Sequence, residues 1–133
     1  MIDASAIGAV GERFLQVTDE HSAVRWGSGD IQVFSSPHMI ALMEGAAVDA
    51  ASPFLDPGQS TVGIHVDVAH LAATPIGEAV SARATLVDVD NRRLTFHVQA
   101  FDPAGLIGQG SHERFIVDTE RFMSNATKRC QDA

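Results

Sequence analysis

Ser36-Pro-His-Met-Ile-Ala-Leu-Met-Glu-Gly-Ala-Ala-Val-Asp-Ala-Ala51 is the stretch that decides the architecture. Serine is a favoured helix N-cap and proline a favoured first helical residue, so Ser36-Pro37 marks a helix start. The helix is predicted to run to about Ala51 and to stop before Pro53. Met39, Leu42, Met43, Ala46, Ala47 and Ala50 would supply its buried contacts, and the alanines with Gly45 keep it slim enough for close approach by strands. From Met39 to Val48 the stretch is apolar nearly all round, which belongs in an interior. Glu44 is the exception. A carboxylate there is costly unless it is paired, hydrogen-bonded or protonated, and acids so perturbed are over-represented at active sites. The competing reading, of equal weight, is that Glu44 faces a polar rim or pairs with a buried cation.

Outward from this helix the chain reads mostly as strands. Thr61 to Ala69 alternates with period two and places Ile64, Val66 and Val68 on one face, which His70 continues. Thr74-Pro-Ile-Gly77 is a turn. Glu78 to Val89 is a long strand containing Val80, Ala82, Ala84 and Leu86. After an Asp90-Asn91 hairpin turn, Arg92 to Phe101 carries Leu94, Phe96 and Val98 on one face. Asp102-Pro-Ala-Gly105 turns again into a last strand, Leu106 to Val117, and Thr119 to Arg129 has helical character with a polar surface. Ahead of the central helix, Val10 to Val17 reads as a strand with Phe14 as its core anchor. His21 to Trp26 reads as a further short strand, and Gly27-Ser-Gly-Asp30 as a loop or mobile lid. Short turns between consecutive strands imply antiparallel neighbours. The expectation is an α+β chain: one long central helix wrapped by a curved antiparallel sheet, with a C-terminal helix. This order suggests the hot-dog fold. One sheet around one helix leaves an edge and apolar surface open, so a homodimer is expected.

Composition narrows the classes. At 133 residues the chain is expected to form a single domain over residues 1–133. With 45% hydrophobic and 20% charged residues it is ordinary for a soluble globular protein. The net charge of −8 argues against nucleic acid as a partner, since phosphate contact needs a basic surface. No apolar run approaches the roughly 20 residues of a membrane span, so no membrane partner is expected. The lone cysteine, Cys130, excludes an intramolecular disulfide, and no signal peptide is expected at the start of the chain; both fit a cytoplasmic protein.

Three further positions bear on chemistry. His70 continues an aliphatic strand face and sits at the strand end. A lone inward histidine is more often structural, but beside an inward Glu44 it becomes a candidate for proton transfer near neutral pH. Ser36 is fully accounted for as an N-cap; its functional alternative is that the free N–H groups at the helix start, with its hydroxyl, stabilise an oxyanion. Ser36 and Glu44 lie eight residues apart, about 12 Å along a helix axis, so they cannot bond within it. If they serve one site, either two chains assemble it or each group acts on a different part of the ligand. In His112-Glu113-Arg114, surface ion pairing is the slightly favoured reading, and Arg114 as partner of a buried carboxylate or an anionic ligand is the other. Gly108-Gln-Gly110 lacks the strand-loop-helix context of a phosphate loop. The scattered histidines form no metal-binding helix pair, so no metal is expected. No Gly-x-Ser-x-Gly elbow occurs.

The run Ser36 to Ala47, followed by Gly63-x6-His70-x-Ala-Ala-Thr-Pro-x-Gly77, Arg92-Arg-Leu94 and Gly110-Ser-His-Glu-Arg114, resembles the fluoroacetyl-CoA thioesterase-like family of the hot-dog superfamily. The resemblance covers nearly the whole chain, from Val10-Gly-Glu-Arg-Phe14 to about Phe122. It implies a homodimeric hydrolase acting on acyl-CoA without a metal or redox cofactor. It maps catalytic threonine, glutamate and histidine onto Ser36, Glu44 and His70, and acyl-group contacts onto Gly63 and Arg114. Serine in place of threonine keeps the hydroxyl and loses a methyl. In the lid, the family's phenylalanines map onto Gly27 and Asp30, with Phe34 retaining a nearby aromatic that contacts substrate. Fold and reaction class therefore carry over and fluoroacetyl specificity does not.

The expected activity is hydrolysis of a small acyl-CoA to acid and free CoA. Glu44 would act as nucleophile or base, His70 would orient it and activate water, and Ser36 would bind the thioester oxygen. The alternative is a non-catalytic acyl-CoA or small-ligand binding protein on the same fold. A hot-dog dehydratase or hydratase is a third, less favoured by the Met-Glu-x-Ala helix.

Overall fold

The computed structural model describes residues 2–133. In chain order the main elements are β1 (Val10–Gln16), α1 (Ser36–Ala51), β2 (Gln59–His70), β3 (Ala79–Asp90), β4 (Arg93–Asp102), β5 (Gly105–Asp118) and α2 (Thr119–Gln131). The five strands form one sheet in the order β1-β3-β4-β5-β2, and every neighbouring pair is antiparallel. β1 and β2 are therefore its edges. The β3–β4 hairpin turns through Asn91, whose φ of 55° is a conformation asparagine tolerates better than most residues.

The core lies between α1 and the inner sheet face. Val80, Ala82, Ala84 and Leu86 of β3 and Leu94, Phe96, Val98 and Ala100 of β4 alternate inward and are buried. They meet Met39, Met43, Ala46, Ala47 and Ala50 of α1. Each fully buried methionine contributes roughly 1.5–3 kcal/mol, while the alanines let the sheet approach. β1 comes so near that a methyl on Gly11 would overlap the Ala46 carbonyl and crowd the Ala50 nitrogen. Only glycine fits there. Opposite it on the chain, α2 carries no buried residue. Among the described residues no helix is long and apolar enough to cross a membrane.

Four local expectations are corrected. Phe14 is not a core anchor: it is 74% exposed. Its neighbour Arg13 pairs with inward Ala82 and so faces α1, which turns Phe14 to the outer side, while Leu15 packs against the core. His21 to Trp26 is not a strand. A 3-10 turn at Asp19–His21 and further turns occupy it, with Ser22 in one isolated bridge to Phe34. The helix N-cap is Ser35, one residue before Ser36, and its hydroxyl accepts the His38 N–H at 3.2 Å. Finally, Ile64 and Val66 stay 50% and 40% exposed because β2 is an edge strand.

β2 also carries a bulge. Gly63 pairs with Arg114 and His65 with Glu113, so Ile64 is an extra residue without an opposite number on β5.

Candidate active site

With Ser35 capping the helix, the Ser36 hydroxyl is released from that duty. It lies 2.7 Å from His70 Nδ1, joining the first turn of α1 to the last residue of β2. The approach to this pair is held by the chain on both sides. Phe34 N–H donates to the Thr74 carbonyl at 2.9 Å, and Thr74 Oγ1 donates to Asp102 at 2.7 Å. Trp26 stands edge-on to His38 with ring centroids 4.5 Å apart, pinning the preceding loop to the start of α1. The pair opens into a cavity of about 400 Å³ whose wall includes Asp30, Ile31, Phe34 and Leu71. Phe34 is 1% exposed, and Asp30 brings a carboxylate to an otherwise largely apolar lining.

Burial pushes the His70 pKa below the usual 6.5, with the Ala72 backbone opposing. The ring is therefore neutral at pH 7. Its Nε2 is buried and has no hydrogen-bond partner among the described residues. A neutral imidazole with one nitrogen on a hydroxyl and the other unpartnered can pass a proton between the hydroxyl and a third group.

A second cluster lies farther along α1. Glu44 Oε2 is 3.2 Å from Arg114 Nη1 and 4.0 Å from His112 Nε2. Arg114 is 6% exposed, so the surface ion pairing favoured for it is corrected: it lies inward and partners the helix carboxylate. Its guanidinium also donates from Nε to Thr61 Oγ1 at 2.8 Å, from Nη2 to the Thr61 carbonyl at 2.9 Å, and from Nη1 to His112 Nε2 at 3.2 Å. Four of its five donors are thus engaged. Burial lowers the Arg114 pKa, Glu44 opposes that, and an arginine stays charged regardless. Glu44 itself is 39% exposed at the side chain, so it belongs to the reading of an acid at a rim paired with a buried cation. Gly63 is the floor: a methyl there would stand 2.8 Å from Glu44 Oε2 and 3.3 Å from both Arg114 Nη1 and His112 Cε1.

Within one chain the six singled-out residues thus fall into two groups. Ser36, His70 and Phe34 meet at the cavity; Glu44, Gly63 and Arg114 meet at the bulge. Glu44 is not hydrogen-bonded to His70. Thr61 was not singled out from the sequence, and His112 was named only within the His112-Glu113-Arg114 cluster, with no role of its own. The signal for both was present, since alternation from an inward Arg114 turns His112 inward, and Thr61 lies two residues from Gly63 on the same side of the bulge. Among the described residues no group of three or more His, Cys, Asp or Glu is placed to hold a metal ion.

Comparison with known proteins bears on the family and the fold. A family profile described as fluoroacetyl-CoA-specific thioesterase matches residues 17–120. The fluoroacetyl-CoA thioesterase of Streptantibioticus cattleyicolor is 37% identical over 129 residues, spanning 90% of this chain and 93% of that protein. The solved structure of a fluoroacetyl-CoA thioesterase variant in complex with fluoroacetate superposes with a TM-score of 0.86 at 32% identity, covering 92% of this chain and 97% of that one. A hypothetical protein of Thermus thermophilus, a thioesterase superfamily member, gives 0.85 at 25% identity over 96% of both chains. With the helix, the antiparallel sheet and nearly the full length accounted for, the chain belongs to the fluoroacetyl-CoA-specific thioesterase family and has the hot-dog fold.

Proposed function

We propose that this single-domain chain hydrolyses the thioester of a small acyl-CoA, releasing the acid and free CoA. The observation that carries the reading is the Ser36–His70 contact at the mouth of a cavity, with His70 Nε2 left unpartnered. Ser36 and the N–H groups of the first turn of α1 receive the thioester oxygen as it gains charge. Glu44, paired with Arg114 at 3.2 Å, attacks the carbonyl carbon or deprotonates the water that does. Either route breaks the C–S bond, returns a proton to the leaving thiolate and consumes one water. His70 relays that proton.

Glu44 reaches His70 through a second copy. Open backbone on edge strand β2, with Ile64 and Val66 exposed beside it, supports a homodimer in which two β2 strands pair. Two-fold pairing sets the Glu44 cluster of one copy against the Ser36–His70 pair of the other. The family resemblance, which maps the lid phenylalanines onto Gly27 and Asp30, supports an acyl group other than fluoroacetyl. Cys130 is unpaired and exposed, which suits the reducing cytoplasm.

The test is thiol release from a panel of acyl-CoA thioesters, acetyl-CoA and fluoroacetyl-CoA included, by the wild type and by Glu44→Gln. Hydrolysis of at least one member, lowered at least about 100-fold in the variant, is expected. Binding of CoA esters with no thiol release from any member would replace this reading with a binding protein.

A further inference from the structure

His112 is the most enclosed ionisable side chain of the candidate site, 1% exposed, and the chemistry above gives it no task. Its Nδ1 lies 2.7 Å from the His65 backbone oxygen. A carbonyl only accepts, so Nδ1 carries the proton. Its Nε2 lies 3.2 Å from Arg114 Nη1. A guanidinium only donates, so Nε2 must present a lone pair. One species satisfies both contacts: the neutral ring protonated at Nδ1. The imidazolium would set an N–H against an N–H, cation against cation.

The surroundings agree. Arg114 faces the ring from β5, Glu44 from α1 and the His65 carbonyl from β2, while β4 presents the apolar ring of Phe96; Glu113, on the opposite face of β5, acts on the ring only through its charge. Burial leads in lowering the His112 pKa below 6.5, Arg114 adds to it, and the His65 carbonyl, Glu44 and Glu113 oppose. Nη1 of Arg114 has two hydrogens and two acceptors, His112 Nε2 and Glu44 Oε2. Thr61 fixes the opposite edge of the guanidinium. Without His112 the Nη1 edge is guided by the half-exposed carboxylate alone.

We propose that His112 is a positioning residue for the reaction: its Nε2 lone pair, aimed by the His65 carbonyl, holds Arg114 in the one orientation that presents Nη1 to Glu44. The inference rests on the reading of Glu44 as the catalytic carboxylate. His112 itself touches no reacting atom.

Two measurements test it. Ring-nitrogen NMR of the wild type at neutral pH is expected to show His112 as the neutral tautomer protonated at Nδ1. The other tautomer, or an imidazolium, overturns the proposal, and this arm needs no turnover. Kinetics then separate positioning from packing. His112→Phe keeps the bulk and removes both ring nitrogens. His112→Gln supplies an N–H donor and an oxygen acceptor. The Phe variant is expected to lose about 10- to 100-fold in kcat with KM within about threefold, and the Gln variant to recover most of that loss. The acid limb of the Gln profile should also lose the contribution of His112 protonation. Wild-type kcat in a folded Phe variant, or equal impairment of Phe and Gln, overturns it. Should Phe fail to fold, a Gln variant with wild-type melting and no recovered kcat does the same. A wild type that cleaves no thioester would sink the functional reading, and the ring measurement would still decide whether His112 holds Arg114.

Discussion

Ser36 Oγ and His70 Nδ1 stand 2.7 Å apart across 34 residues of chain, and the helix start does not need that hydroxyl because Ser35 supplies the cap. Function and folding are therefore separable at this position. Ser36→Ala is expected to melt within a few degrees of the wild type while thioester cleavage drops about 100-fold. Ser36→Thr, which keeps the hydroxyl, should retain most of the activity. Thermal melts beside thiol-release rates decide it; a collapse of the fold in the alanine variant would move Ser36 back to a structural role.

The distance between the two clusters in one chain leads to a complementation experiment. If each site takes Ser36 and His70 from one copy and Glu44 from the other, Ser36→Ala and Glu44→Gln chains refolded together form mixed dimers with one intact site. A 1:1 mixture should regain roughly a quarter of wild-type activity, given statistical pairing of a two-fold dimer. Mixing that restores nothing, with dimers confirmed by sedimentation, would confine the site to a single chain.

Stability should depend on pH through the histidines. Burial lowers the pKa of His38, His70 and His112 below 6.5 in the folded chain. Between those folded values and 6.5 the unfolded chain binds more protons than the native one, so stability rises with pH across that window and is lost as pH falls through it. Above 6.5 these groups add no slope. The melting temperature should therefore be flat from pH 8 to 7 and fall on acidification below 6.5. Replacing His38 with Gln should reduce that fall; an unchanged slope would remove His38 from the account.

Gly11 and Gly63 test close approach in two different currencies of consequence. Gly11→Ala drives a methyl into the backbone of α1, which cannot retreat, and should cost about 1–3 kcal/mol, a drop of several degrees in melting. Gly63→Ala meets the ends of side chains that can shift, so melting should change little. Those side chains are Glu44, Arg114 and His112, so the rate of thioester cleavage should fall about tenfold or more. Calorimetry and kinetics on both variants should give opposite rankings; the same ranking in both would refute the distinction.

Much of this was legible in the residues. The inward runs of β3 and β4 alternate without interruption, so period two identifies their core members directly. The apolar length of α1 and its alanines place it correctly, and Glu44 stands out against them. What the sequence hides is set by single-residue offsets and by edges. Ser35 and Ser36 are equally good caps by type, and only the chain path decides between them. Phe14 looks like a core residue until Arg13 is found reaching Asp49 with Nε at 2.9 Å, which claims the inner face of β1. Arg114 resembles a surface arginine because charge alone does not reveal that Thr61, His112 and Glu44 surround it. The exposure of Ile64 and Val66 depends on strand order, which no local pattern contains.

The unpaired Ile64 has a consequence that is a matter of parity. Gly63 and His70 are seven positions apart, an odd number, and in an unbroken strand they would point to opposite sides of the sheet. Thr61 and Gly63 face inward on odd numbers, while Val66, Val68 and His70, set against His112, Gly110 and Gly108, face inward on even ones. One surplus residue changes odd to even midway along β2. Deleting it would shorten the chain by a single residue and keep every side chain of the site in the sequence, yet send half of them to the far side of the sheet.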